Sequence, residues 1–445
     1  MEIGDISGGS VGFFWATYGK RITFHRRPES GHLKLNPDGQ IEIQTLEESP
    51  EDSFISETSP GLPTAIFAST AAGGVLIPQI SRRSSKVRWG GIHASTHSFF
   101  GPAAVLGVSE AIKDPRLSYA SLFMPGIQDW AGVRTIEAER KSSTSGRMQA
   151  MSITVKNSPP QEVRLSGSMS FELAWHWQVS GSADNKSVYA PVSLAVRSTR
   201  PRAYQELMAP LHRIQDLASL SFGGFVRADG GRAHFAGEPD PTTSPTIWDG
   251  RFMSVPAGAR SPKSMTELPL FSLADIGGLD GLRRWLAIYE SHPRAVRPFV
   301  ARYRLGVASP EVRLMEVAAG MEYWVASHRR TTKWAKEKFI PLVVAKRVGP
   351  SFGEWVQDPE KWANAFWGTY NSIKHEAKYV PDRHQVSVMA ESGSLLLAAA
   401  IANRVSGGRS VARKIFQSYR IKSLGEEAAN YSLMFSSRGS RKGRK

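Results

Sequence analysis

The stretch "WGTYNSIKHEAKYVP", Trp367 to Pro381, gathers an asparagine, a histidine and two lysines in close succession. An imidazole takes up and returns a proton near neutral pH. An asparagine can orient that ring or donate to a phosphate oxygen, and lysines supply positive charge. Cleaving RNA without a metal requires a base for the 2′-hydroxyl, an acid for the leaving oxygen and donors for the phosphate charge. Asn371, Lys374, His375 and Lys378 match one half of such a site. One helix cannot place acid and base on two sides of a phosphate, whereas two copies across a twofold axis can. The competing reading is a solvated face with an incidental histidine.

The element that must position these residues is a helix. Asp358-Pro359-Glu360 reads as a cap followed by proline at the first helical position, and Pro381 closes the segment. On a wheel over Pro359 to Lys378, Trp362, Phe366, Thr369 and Ile373 form one stripe that faces a core. Asn364, Trp367, Asn371, Lys374, His375 and Lys378 fall opposite. Asn371 and His375, at i and i+4, are neighbours on that face. A core histidine bonded to backbone is thereby disfavoured. Trp367 in the polar set points to a surface covered by a partner helix or subunit.

Around this helix the chain reads as helical from about Leu282 onward. "LRRWLAIYESH" and "VRPFVARYRLG" are short helical patterns. Ser309-Pro310-Glu311 opens a longer helix with Leu314, Ala318, Met321 and Val325 at helical spacing. "SLLLAAAIANRV" stops at Gly407-Gly408, and a last helix lies near "SVARKIFQSYRI". The first half has a different period. Leu33 and Leu35, then Asn36-Pro37-Asp38-Gly39, then Ile41 and Ile43 spell a hairpin, and Gly73-Gly74 divides a second pair of apolar runs. Phe171, Leu173, Trp175 and Trp177 alternate to one side, as do Val192, Leu194 and Val196. Leu207, Leu211 and Ile214 then mark a helix over Tyr204 to Leu220, started near Ser198 and Thr199. "FGGFVRADGGRAHFAGEPDPTTSPT" reads as loop or a short β insertion. The fold class expected is a multidomain α+β protein, an antiparallel β-rich N-terminal half followed by a C-terminal α-helical bundle.

Composition narrows the chemistry. The absence of cysteine excludes a disulfide scaffold, a Cys-ligated zinc site, an iron–sulfur cluster and a thiol nucleophile, and it fits a reducing cytoplasm. A formal charge of +16 attracts polyanions, nucleic acid first and anionic membrane second. No apolar run reads as long enough to span a bilayer, and "MEIGDISGGSVGFF" lacks the basic start of a secretory signal, so a soluble cytoplasmic protein is expected. His93 and His97 lie four apart but among β-favouring neighbours without a third ligand, so no metal site and no cofactor is expected. "GGFVRADGGR" lacks the lysine of a phosphate loop, and Trp175-His176-Trp177 reads as alternating strand faces. Arg438, Arg441, Lys442, Arg444 and Lys445 form a basic tail that reads as solvated.

The run Asn371-Ser372-Ile373-Lys374-His375, late in a helical bundle, resembles the R-N-x-x-x-H signature of HEPN ribonucleases. The whole layout is similar to the ApeA-like group, in which a β-rich N-terminal domain precedes a HEPN domain. "GFFW", "HLKLNPDGQIEIQ", "AIFASTAAGGVLI" and "SLFMPGIQDWAG" carry that likeness in the first half. "ASPEVRLMEVAAGMEYW" resembles the first long HEPN helix with its acidic residue, here Glu322. The resemblance implies a metal-independent endoribonuclease of antiphage defence, acting by abortive infection as a homodimer through the HEPN domain. RNA, tRNA included, is the implied partner, with a phage-derived trigger and no membrane. His375 would transfer protons, Asn371 would orient it or contact phosphate, and Glu322 would polarise or restrain the pair. The signature's arginine falls at Tyr370, which carries no permanent charge and no bidentate fork. Lys374, or Arg329 and Arg330 on the neighbouring helix, are the candidates to supply that charge, and Lys374 and Lys378 to bind the RNA backbone. The alternative is a catalytically degenerate HEPN-like module that binds RNA or protein. The expected divisions are a β-rich domain at 1–200, a helical and loop connector at 201–300, the HEPN-like bundle at 301–435 and a disordered basic tail at 436–445.

Overall fold

The computed structural model describes residues 2–19, 21–22, 28–47, 62–87, 95–109, 112–133, 135–156, 159–175, 177–182, 184–236, 244–262, 267–306, 308–328 and 339–442. They fall into two compact units. The first comprises Met1–Pro125, Arg134–Gln215 and Arg227–Val255, and the second Gly126–Val133, Asp216–Val226 and Pro256–Lys445. The stretch read as a connector, 201–300, is thus shared between them.

The first unit is β-rich, as expected. In chain order its strands are β1 (Ser10–Thr17), β2 (Glu29–Leu35), β3 (Ile41–Glu47), β4 (Ala65–Thr70), β5 (Gly73–Ile77), β6 (Arg82–Val87), β7 (Ser95–Gly101), β8 (Ala103–Leu106), β9 (Leu117–Phe123), β10 (Ile136–Ser142), β11 (Met148–Val155), β12 (Gln161–Ser166), β13 (Met169–Trp175), β14 (Gln178–Ser180), β15 (Ser187–Tyr189), β16 (Val192–Arg202), β17 (Gly230–Phe235) and β18 (Thr246–Asp249). Most join one antiparallel sheet in the order β12-β13-β16-β9-β17-β18-β8-β5-β4-β1-β2-β3-β7-β6, while β10-β11 and β14-β15 are separate ribbons. The Asn36–Gly39 hairpin is present, with Leu33 opposite Ile43, Leu35 opposite Ile41 and Gly39 at φ 69°. Phe14, Leu33, Ile43, Ile66, Val75 and Phe99 are among the residues that form its core.

Three local readings change. Gly73 and Gly74 are not the turn of the second hairpin; they begin β5, opposite Thr70 and Ser69. Gly74 is needed for a close approach, because a Cβ there would lie 2.0 Å from the Val108 carbonyl oxygen. The alternation through Phe171, Leu173 and Trp175 ends with β13, and Trp177 beyond it is exposed. Ser198 and Thr199 do not start a helix but extend β16; the helix begins at Tyr204.

Helices of the first unit are the short α1 (Gly4–Ser7) and the start of α3 (Tyr204–Phe222), whose Leu207, Leu211 and Ile214 are fully buried. α2 (Ile127–Ala131) belongs to the second unit, and α4 (Gly250–Met253) to the first. The Tyr204 hydroxyl donates to Asp249 at 2.9 Å, and Arg251 pairs with the same carboxylate at 2.7 Å. Burial, then the negative charge of Asp249, pushes the Tyr204 hydroxyl well above its usual pKa, so it stays the donor.

The second unit is helical: α5 (Gly278–Ser291), α6 (Pro293–Arg304), α7 (Pro310–Ser327), α8 (Ile340–Val348), α9 (Pro350–Val356), α10 (Pro359–His375), α11 (Arg383–Ser406), α12 (Ser410–Gln417) and α13 (Lys422–Lys442). Capping follows the sequence. Ser309 accepts from Val312 N–H at 3.3 Å, Asp358 from Glu360 and Lys361 N–H at 3.1 and 3.0 Å, and Asp382 from His384 N–H at 2.9 Å. Gly407, at φ 77°, ends α11. α8 and α9 lie outside the helices read from the sequence, and α12 is not the last helix. α13 follows it and continues its backbone into the segment read as a basic tail. By length and composition α11 qualifies to cross a bilayer, which corrects the reading that no apolar run does. Here it is the central core helix, packed by α5, α6, α7, α8, α12 and α13. Asp216, at the second unit's end of α3, accepts from the Tyr289 hydroxyl at 2.9 Å and pairs with Arg304. Burial raises the Asp216 pKa against the pull of Arg304.

Candidate functional site

α10 is held by aromatic packing. Trp362 donates its indole N–H to Ser392 Oγ on α11 at 3.1 Å, stacks on Phe366 at 5.2 Å and meets Phe352 of α9 edge-on at 4.8 Å. Thr369 satisfies its buried hydroxyl on the Ala365 carbonyl at 2.8 Å. Gly368 sits under Phe435 of α13, and a Cβ there would fall 2.2 Å from that ring. The core stripe is therefore where the wheel puts it, with Ile373 half-buried at its end.

The opposite face divides. Lys374, His375 and Lys378 are exposed, and Asn371 is half-buried one turn before His375. Among the described residues no hydrogen bond or ion pair engages the His375 ring or the Asn371 carboxamide, so the ring is open to a ligand. The helix ends at His375, earlier than expected, with Glu376 N–H closing on the Ser372 carbonyl at 3.0 Å. Lys378 therefore lies past the helix, not on it.

Trp367 is covered, as its place in the polar set pointed to. It is buried, 6.4 Å from Phe366 and 4.9 Å from Tyr370. A single-stripe wheel assumes one packing face, but α10 is packed by α7, α8, α9, α11 and α13, so its apolar arc is wider. Tyr370 is buried as well, at 5% exposure. Its hydroxyl accepts from Lys374 Nζ at 3.2 Å, and the same ammonium lies 5.3 Å from the ring centroid. Tyr370 thus holds the Lys374 ammonium one residue before His375. Glu322 is half-buried on α7 and makes no hydrogen bond to Asn371 or His375 among the described residues. Arg329 and Arg330 lie outside the described residues, as do His93 and His176. His97 is buried in β7. Among the described residues no group of three His, Cys, Asp or Glu side chains is arranged to hold a metal ion.

Comparison with known families adds one finding. The model of ApeA N-terminal domain 1 matches residues 10–285, more than half of the chain. The chain belongs to the ApeA family. The matched region includes every strand of the β-rich unit and continues into α5. That membership supports a role in antiviral defence. No curated protein and no solved structure matches the chain. Sequence reasoning missed a second histidine pair, His292 and His328, whose rings lie 6.0 Å apart. No local motif could have found it, because different helices supply the two rings.

Proposed function

We propose that this ApeA-family chain is an antiphage effector whose helical unit is a HEPN-type, metal-independent endoribonuclease, restrained or triggered through its β-rich unit. The observation that carries the reading is the end of α10. There an unengaged His375 imidazole follows an ammonium fixed by Tyr370, with Asn371 one turn back. His375 takes the proton of a ribose 2′-hydroxyl, or returns one to the leaving 5′-oxygen. Asn371 orients the ring or donates to the phosphate. Lys374 offsets the charge that builds on the phosphorane. A single ring cannot stand on both sides of the phosphorus, so a second copy of the chain supplies the other role in a homodimer. The site requires no cofactor. Cleavage of host RNA, tRNA included, in the cytoplasm would stop growth of an infected cell.

The second reading is a binding module that has lost catalysis. It is favoured by one observation: the signature's arginine position holds a buried Tyr370. Expression in a bacterial host separates the two. His375→Ala relieves toxicity if His375 transfers protons, and toxicity unchanged in that variant contradicts the nuclease reading.

A further inference from the structure

His292 and His328 meet in the helical unit although different helices supply them. His292 precedes α6 as its cap residue, and His328 caps the end of α7. Both rings lie against Trp324, at 5.5 and 4.2 Å. Beside them Arg294 lies 5.4 Å from the Tyr323 ring centroid. Arg347 and Arg404, in the last turns of α8 and α11, lie close enough for their charge to act on the rings, Arg404 on both and Arg347 on His328. Both arginines are exposed, and among the described residues neither forms an ion pair or side-chain hydrogen bond.

The protonation of His328 follows from its partner. Its Nδ1 lies 2.8 Å from the Trp324 carbonyl oxygen, which can only accept, so Nδ1 carries the hydrogen. Nε2 of the neutral ring then presents a lone pair, with no partner among the described residues. Burial lowers the pKa of both histidines; at His292 the charge of Arg404 adds to this, and at His328 the charges of Arg347 and Arg404 do so against the Trp324 carbonyl bond, which pulls the other way without reversing the net fall. The neutral rings therefore persist at pH 7.

Cations at helix C-termini are common because they complement the helix dipole, and this accounts for each arginine singly. It does not account for an acceptor held neutral among them. A metal ion would be repelled by the arginines. A bare phosphate oxygen has no hydrogen to give to Nε2. A ribose 2′-hydroxyl beside its own phosphate meets both requirements.

We infer that this cluster is a ribonucleotide-backbone site, with Arg347 and Arg404 taking a phosphate and His328 Nε2 accepting from the neighbouring 2′-hydroxyl. It selects RNA over DNA, because only RNA carries that donor. It shares with the nuclease reading the premise that RNA is the ligand, but it uses no side chain of α10. The full-length His375→Ala chain therefore serves as the test protein, free of cleavage under that reading.

Fluorescence anisotropy would compare a single-stranded RNA oligomer, its DNA counterpart and a fully 2′-O-methylated oligomer, with a nucleoside 3′-monophosphate and inorganic phosphate as competitors. The expected preference for RNA is about ten-fold, the size of one well-placed hydrogen bond. The methylated oligomer falls to the DNA level, a readout that requires no further substitution. His328→Ala removes the preference and leaves DNA affinity in place. Arg347→Gln with Arg404→Gln weakens RNA and DNA alike and flattens the salt dependence. Competition by the 3′-monophosphate at its own affinity assigns the site to free nucleotides as well as RNA, and competition only by the oligomer assigns it to the polymer. Equal binding of RNA, DNA and methylated oligomer, or competition by inorganic phosphate as strong as by the 3′-monophosphate, overturns the inference. Retention of RNA cleavage by the His375→Ala chain would count against the nuclease reading alone.

Discussion

Tyr370→Arg rebuilds the arginine of the HEPN signature, and the structure predicts that it damages the fold instead of creating a clamp. The tyrosine ring is 5% exposed and packs 4.9 Å from Trp367, and its hydroxyl holds Lys374 at 3.2 Å. Losing a buried aromatic side chain costs about 1.5–3 kcal/mol. The ring pair adds about 1 kcal/mol and the hydrogen bond a further ~1 kcal/mol. A second cation one turn from Lys374 costs about 0.5 kcal/mol. The arginine stem recovers part of the apolar burial by reaching toward water. The net loss is roughly 3 kcal/mol, a large share of an ordinary domain's stability. Urea unfolding followed by helical circular dichroism should show the midpoint of the helical transition falling by about 1 M or more at unchanged slope. Tyr370→Phe, which keeps the ring, should lose only about 1 kcal/mol. A Tyr370→Arg midpoint within about 0.2 M of the parent would refute the reasoning, because it requires the ring to stand free of the core.

Other consequences follow from the same packing. Asp358→Ala removes the cap of α10 and should cost about 1–2 kcal/mol by the same assay. The backbone N–H of Lys361, foremost, holds the Asp358 carboxylate below its ordinary pKa. Its contribution is therefore fully present above the unfolded value of about 3.9 and disappears as pH falls through the lower folded value. The variant should match the parent's stability most closely at the acid end. Gly74→Ala places a Cβ 2.0 Å from the Val108 carbonyl oxygen. It should lower the unfolding midpoint of the β-rich unit by the equivalent of about 2 kcal/mol, whereas Gly107→Ala, with open space for its Cβ, pays only for its φ of 75°. Lys374→Gln should reduce RNA cleavage about ten- to a hundred-fold without moving stability by more than about 1 kcal/mol.

Much of this was legible because the signals were local. A turn dipeptide between alternating strands placed the Asn36–Gly39 hairpin. Cap-proline pairs at Ser309-Pro310 and Asp358-Pro359 placed α7 and α10. Apolar spacing placed α3. The failures came from tertiary context. Trp367 fell opposite the core stripe because a helical wheel carries one core direction, whereas α10 is packed by five helices. Gly73-Gly74 looked like a turn because nothing local announces the Val108 carbonyl that requires Gly74. α8 and α9 are too short for periodicity to register, and Gly349 at φ 106° separates them. Of the site, His375 and Asn371 were visible as a spacing. Tyr370's grip on Lys374 and the meeting of His292 with His328 depend on helix packing that no window of sequence contains.

The nuclease reading is tested most directly by incubating the purified full-length protein with total cellular RNA in excess chelator, beside its His375→Ala variant. The account predicts fragments ending in 2′,3′-cyclic phosphate from the parent, undiminished by the chelator, and intact RNA from a variant that keeps the parent's unfolding midpoint. Cleavage by the variant at the parent's rate would contradict it.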